Sequence, residues 1–490
     1  MVADATRPLL GMEKWRIRMT ISNDSPRIGF MAVGLASYWP QFPQMKPAVL
    51  QAHQKLGALI SPHATLLHAG LVDDAEAARV AGATLAAGDV DLVFVQLATY
   101  ANSETLLPAI RALNVPIVLL NVQPERKLDM ARTTGIGDWL GSGVTPASLP
   151  EMTNVLIRLG KRFDTITGHL DGDDILAAEL ELWCRLAGLT RRLRTRSLAL
   201  LGRPFAGMMD LNLDETHVFN RFGTFIRHLD WDDVVAEMEA VTDAERAAGT
   251  DELRGVFGAS DTLSDDELGE AGLVVAAMRR FVDRYNLCGI SSHYEGASAG
   301  ARAKLLAALN PALSVLNGRG IACPVEADVK VAFAMLTLKT IGGSATLAEL
   351  YSMDFDDDVI IIGHSGAGDP AISRTPPRLA MSDVFHGKSG QGYLTQFYPG
   401  AGDVTLLSMM QNGSGDYRMV AAEGEIVAGP TLQLGDTNAR VRFPQGLRRF
   451  ARDWSALGPT HHGVMGYGHH IDRLQRAAIA LGIPLDIVRS

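Results

Sequence analysis

Up to Val325 the chain alternates short apolar runs with stretches of helical periodicity, and few folds accommodate that rhythm. Residues 27–34 (RIGFMAVG), 90–97 (VDLVFVQL) and 115–122 (VPIVLLNV) read as buried strands, with helices predicted at 45–59 and 103–113. Strands separated by helices of this length form a parallel sheet covered on both faces. Residues 163–169 (FDTITGH) read as the last strand of this layer, and a helical run at 174–186 leads to a second one. There, 197–202, 287–292 and 320–325 are strands, while 232–241, 267–284 and 301–316 are helices. No GxGxxG follows any of these strands, which argues against a dinucleotide site. Ligands of such sheets bind beyond the carboxyl ends of strands, so the loops 34–41, 96–102 and 121–126 are candidate substrate contacts.

After a helix at 329–339 the texture changes. Residues 378–447 hold short extended runs (392–397, 404–409, 417–422, 439–443) broken by Gly, Pro, Asn and Asp. That spacing predicts an antiparallel barrel or curved sheet. A helix at 471–481 and a strand-like tail, LDIV, close the chain. The expected organisation is an arm (1–26), an N-terminal α/β domain (27–170), a central α/β domain (171–326) and a β-rich domain (327–490). The fold class is thus α/β, with two Rossmann-like parallel-sheet domains followed by a barrel-like one.

The 490 residues carry a net charge of -10, which argues against a broad phosphate-binding surface and hence against nucleic acid as a partner. The basic cluster Arg191, Arg192, Arg194 and Arg196 reads as a solvated linker before a strand. Three widely spaced cysteines, Cys184, Cys288 and Cys323, read as buried thiols of a reducing compartment. No apolar stretch is long enough for a membrane span, and the N-terminus has no signal-peptide core. A cytoplasmic location is expected.

The chemistry concentrates in residues 324–370. Glu326 follows a short apolar run, Glu349 precedes an extended run, and His364 follows four consecutive β-branched residues, 359–362. Downstream, GPTHHGVMGYGHH places His461 and His462 in another short extended segment, where only one of the two should face a given side. Carboxylates with imidazole suit Mn, Mg, Co or Fe better than a closed zinc site. Each residue alone has a plainer reading, a helix-dipole charge for Glu326 and a structural histidine for His364. His469 and His470 read as surface residues at a helix start.

As an ordered set, these segments resemble the L-arabinose isomerase family of the L-fucose/L-arabinose isomerase superfamily. VEADVK (325–330), GGSATLAEL (342–350), DVIIIGH (358–364) and GPTHHG (458–463) stand where that family has GEGDWK-, GGTSFMED-, DLVLGSH- and GGAHHT-like segments. The resemblance implies a divalent metal, Mn²⁺ or another such as Mg²⁺ or Co²⁺, held by Glu326, Glu349, His364 and His462. It implies a metal-dependent aldose–ketose isomerase of monosaccharides that works through a cis-enediol, with Glu326 and Glu349 as the catalytic pair, assembled as a trimer or hexamer. The alternative is a sugar-binding or regulatory protein that keeps the fold without the chemistry. LLNVQP resembles an LLHTQF-like segment and puts Gln123 at a substrate contact; SSHYEG resembles a TTFED-like one and puts Tyr294 there too. The family's GSQHLYG has no close counterpart: residues 33–42 read VGLASYWPQF, so the sugar preference is expected to differ.

Overall fold

The computed structural model describes residues 25–143, 145–258, 263–293, 300–382 and 391–489. Two compact units divide the described chain: one takes residues 25–192 and 472–482, the other 193–471 and 483–489.

The first unit is built on five parallel strands, β1 (Arg27–Val33), β2 (Thr65–Val72), β3 (Leu92–Leu97), β4 (Ile117–Gln123) and β5 (Phe163–His169). Their order is β2-β1-β3-β4-β5, a doubly wound arrangement whose strand order reverses between β1 and β3. The inner strands β1, β3 and β4 are buried almost end to end, as strands covered on both faces must be. The helix expected at 103–113 is broken into a 3₁₀ turn (Ser103–Thr105) and one short helix (Leu107–Ile110), with Pro108 in the first turn of the latter.

The second unit holds a smaller parallel sheet of β6 (Ser197–Gly202), β7 (Phe225–Leu229) and β8 (Leu287–His293), in the order β7-β6-β8. The strand expected at 320–325 touches β8 only through two parallel bridges, Gly289 with Ala322 and Ser292 with Val325. The basic segment at 191–196 is no linker: the helix Asp174–Thr195 runs through it, Arg192 is buried, and Arg191 pairs with Asp91 at 3.3 Å. The helix expected at 301–316 is two, Gly300–Ala307 and Leu309–Gly318.

β9 (Thr346–Asp354), β10 (Val359–His364), β13 (Gly402–Gln411), β14 (Tyr417–Ile426), β15 (Thr437–Arg442) and β16 (Gly463–Tyr467) form an antiparallel barrel. The ring β13-β16-β9-β10-β15-β14 closes through the β13–β14 pairing. β11 (Arg378–Ser382) and β12 (Gly392–Gln396) form a separate hairpin, and β17 (Leu485–Ile487) adds to β14 in parallel. Ala348, Ile360, Ile362, Leu406, Val420 and Val441 belong to the barrel core. Closure leaves no open edge among these six strands.

The helix Val329–Gly342 packs against β6 and β8 of the parallel sheet and against β9, β13 and β16 of the barrel. Flanked on two sides by sheets, it has no polar face, as its sequence VKVAFAMLTLKTIG requires. All three cysteines are buried thiols. Among the described residues no helix is long and apolar enough to cross a membrane.

Candidate metal centre

The N-terminus of that central helix carries the site. Val325 bridges to Ser292, and the Ala327 amide donates to the Ser292 carbonyl at 3.2 Å. Between this strand end and the helix cap at Asp328 the chain has two residues in which to turn. Both take the left-handed conformation, Glu326 at φ 61° and Ala327 at φ 62°. L-residues adopt it at a cost of roughly 1–2 kcal/mol each, and such strain gathers at functional sites where surrounding structure enforces it. Asp328, fully buried, accepts from the amides of Lys330 (3.0 Å) and Val331 (3.4 Å) and so caps the helix.

The second oxygen of Asp328 does other work. Oδ2 accepts from Nδ1–H of His462 at 3.3 Å, since a carboxylate can only accept. That leaves His462 Nε2 3.4 Å from Glu326 Oε2, buried and without a hydrogen-bond partner. His461 repeats the arrangement. Its Nδ1–H donates to Asp210 Oδ2 at 2.7 Å, and its Nε2 is likewise buried and unpartnered. Donor atoms of Glu326, His461 and His462 all lie within 4.8 Å of one another. An imidazole anchored through Nδ1 by a carboxylate, with Nε2 turned to a common point, is the usual support of a metal ligand.

His364 ends β10, with its ring 5.2 Å from that of His462. Its Nδ1–H donates to the Ser365 carbonyl at 2.6 Å, which again fixes Nε2 as the lone-pair nitrogen. Glu349 lies within β9, not ahead of an extended run, and pairs with Gly363, the residue before His364. It alternates with Ala348 and Leu350, which pack with the barrel core, so Glu349 sits on the opposite face of the strand. The donors of His364 and Glu349 stand outside the 4.8 Å grouping.

Electrostatics separates His462 and His364 from each other and from the carboxylate. The His462 imidazole holds Glu326 down at about 2, against the opposing effect of burial. Burial works against charge on His462, yet Asp328 and Glu326 together carry its pKa up to about 9. Burial pulls His364 down to about 4, so it is neutral at neutral pH, as a ligand must be. Without an ion the cluster thus keeps one proton between His462 and two carboxylates. A cation would supply the same positive charge. The unpartnered Nε2 atoms and the ionised Glu326 fit a divalent ion with mixed nitrogen and oxygen donors.

Two expectations change here. His461 and His462 precede β16 and do not lie in a strand, so the strand rule that only one faces the site does not apply, and both approach Glu326. His470 is buried, not at the surface, and its Nε2 lies 2.8 Å from the Tyr467 carbonyl. Gln123 ends β4 in the other compact unit and donates to the Glu125 carbonyl at 2.6 Å. Tyr294 lies outside the described residues. Asp210, Asp328 and Lys330 were not singled out in the sequence. For Asp328 the signal was there, a cap residue directly before an apolar helix; for Asp210 there was none.

Residues 344–484 match the family model described as the L-arabinose isomerase C-terminal domain. An L-arabinose isomerase of Nocardioides sp. is 23% identical over 411 residues, spanning 81% of this chain and 80% of its own. One of Clavibacter sepedonicus is 22% identical over 389 residues, spanning 75% and 74%. With the barrel, the two parallel sheets and the ordered motifs, these matches make this chain a distant relative of the L-arabinose isomerases.

Proposed function

We propose that the chain is a metal-dependent aldose–ketose isomerase of a monosaccharide, with one divalent ion, Mn²⁺ by preference, per subunit. Glu326, Glu349, His364 and His462 are the residues that would hold it. The observation that carries this reading is the pairing of a strained, ionised Glu326 with an Asp-anchored His462 whose Nε2 is buried and unpartnered. When bound, such an ion polarises the adjacent carbonyl and hydroxyl oxygens of the sugar as a Lewis acid.

Isomerisation moves a proton between neighbouring carbons while the two oxygens exchange roles. One carboxylate takes the proton from carbon, and the other manages the proton on oxygen. Glu326 enters from the strand-to-helix turn and Glu349 from β9, so the two come from separate elements. Their bases are regenerated at the end of each turnover, and no redox partner is required.

Turnover across a panel of pentoses and hexoses, on protein loaded with Mn²⁺, tests the reading. Isomerisation of at least one sugar, lost on chelation and regained with metal, is the expected result. Protein that binds no divalent ion and converts no sugar overturns it. L-Arabinose itself should be a poor substrate. The segment after β1 puts Trp39 where the family resemblance leads one to expect a polar contact, and Trp39 Nε1 is committed to Asp73 at 2.7 Å. A site lacking a hydrogen-bonding group for a sugar hydroxyl disfavours that sugar by about 10²-fold.

A further inference from the structure

Asp210 lies on none of the motifs that carry the family resemblance, yet it makes two bonds to one histidine of the site. Its Oδ2 accepts both the backbone amide of His461, at 3.0 Å, and the Nδ1–H of the same residue, at 2.7 Å. The two residues are 251 positions apart in the chain. Asp210 sits in the single 3₁₀ turn Met209–Leu211, in the loop that leaves the carboxyl end of β6. A loop of this kind needs a tether to hold a side chain still. Lys330, buried to 2% exposure, provides one: its Nζ donates to the carbonyls of Leu211 (2.9 Å) and Asn212 (3.2 Å). Lys330 itself follows Asp328, the anchor of His462, by two residues and stands 3.7 Å from it.

The same short stretch of chain therefore fixes both imidazoles, His462 directly through Asp328 and His461 through Lys330 and Asp210. The rings are 3.9 Å apart, and each is left with an unpartnered Nε2 near Glu326. With Nδ1 of each ring turned to an aspartate, both Nε2 atoms and the Glu326 carboxylate converge on one point, and the 3.4 Å from His462 Nε2 to Glu326 leaves a long, poor hydrogen bond. They are complementary to a cation.

We propose that His461 is a further ligand of the divalent ion in this chain, and that Asp210 is its positioning residue. The inference rests on the proposed metal site and adds a nitrogen to it. In this arrangement Glu326, His461 and His462 form a two-histidine, one-carboxylate face, with Glu349 and His364 approaching from the barrel. Asp210 sets the tautomer of His461, so that Nδ1 carries the hydrogen and Nε2 the lone pair.

The test uses Co²⁺ alone, titrated by calorimetry into metal-free full-length protein and followed by visible absorption. Loss of an outer partner of a metal-bound histidine typically weakens binding roughly 10–100-fold, and Asp210→Ala should do so. His461→Ala should weaken Co²⁺ at least as much and alter the visible bands. In the double variant the two losses should not add, because Asp210 acts only through His461. Asp210 is exposed at the surface, so the unfolding midpoint of Asp210→Ala should stay at the wild-type value. Wild-type affinity and an unchanged spectrum in either single variant overturn the inference and leave the proposed isomerase site standing. Unchanged Co²⁺ binding with a raised KM for sugar also overturns it, by moving His461 from the ion to the substrate. Wild-type protein that takes up no Co²⁺ overturns both readings.

Discussion

The proposed site draws on two sheets that would supply its residues by different means. The barrel presents Glu349 and His364 from paired strands: Glu349 stands opposite Gly363, and His364 opposite Thr437. Their directions follow from register, and register follows from the apolar core inside the ring. The parallel sheet presents Glu326 and Asp210 from beyond its strand ends, on turns with no ladder of their own. There, direction depends on individual bonds and on two left-handed residues. Regular strands therefore make half of the site robust, while the other half hangs on a few buried polar groups. Single substitutions should reveal that asymmetry.

The largest effect tests whether the two halves are equal partners in chemistry. Glu326→Gln and Glu349→Gln are nearly isosteric but cannot act as bases. Each should lower turnover by roughly 10²–10⁴-fold. In D₂O the wild-type reaction should place deuterium at carbon 1 of the ketose, since a carboxylate-borne proton exchanges with solvent. Full turnover in either Gln variant would break the two-carboxylate scheme. Retention of a carbon-bound label with no solvent deuterium, and with active Gln variants, would point to a hydride shift.

Next comes stability. Asp328 caps the central helix, faces Lys330 and anchors His462, all without solvent. Asp328→Ala removes the adjacent counter-charge of a buried lysine and the anchor of a buried imidazole together, and should cost about 3–5 kcal/mol by chemical denaturation. On the barrel side Glu349 is held by backbone pairing with Gly363, so Glu349→Gln should change stability by less than about 1 kcal/mol. A mild Asp328→Ala variant would show that the parallel-sheet half is as robust as the barrel.

The helical layer over the parallel sheet gives a pH test. Glu237, buried, accepts from Arg284 Nη1 at 2.8 Å and from Arg280 Nε at 2.9 Å, and the Arg284 bond leads in holding its carboxyl below the usual range. A carboxylate with a depressed folded pKa stabilises above its unfolded value of about 4.3, and the contribution fades as pH falls through the folded value. Both arginines are more than a third exposed, so solvent screens the pair. Glu237→Gln should cost about 1 kcal/mol at neutral pH and flatten the loss of stability as pH falls below about 4.3. An acid limb parallel to that of wild type would remove Glu237 from the account.

Much of the fold was legible, and the missed strands share a cause. β1, β3, β4, β6 and β8 are buried on both faces and show as continuous apolar runs. β2 and β7 are edge strands, half exposed, and TLLHAGLV and FIRHL carry no such run. The helix Asp243–Phe257 is signalled in the sequence by its capping box, Thr242 with Glu245. In the site, Glu326, Glu349, His364 and His462 stand out because each adjoins a strand or helix signal. Asp210 has no such neighbour: MMDLN has no periodicity, and its contact to His461 spans two domains' worth of chain. Nor does the left-handed pair announce itself, since neither residue is glycine.

That pair supplies the last and smallest prediction. Ala327 is 1% exposed and left-handed, whereas Ala332 is equally buried but sits inside the central helix. Replacing either by glycine removes one buried methyl group, worth about 0.8 kcal/mol. At Ala332 glycine adds a helix-interior penalty of about 1 kcal/mol, for a total near 2. At Ala327 the penalty reverses, because a residue without Cβ escapes the left-handed cost of roughly 1–2 kcal/mol. Ala327→Gly should therefore leave stability unchanged or raise it by up to about 1 kcal/mol, in contrast to the loss from Ala332→Gly. Denaturant midpoints of the two variants decide it. Equal losses would mean that the turn carrying Glu326 stores no strain, and that its geometry is as freely adopted as that of the barrel strands opposite.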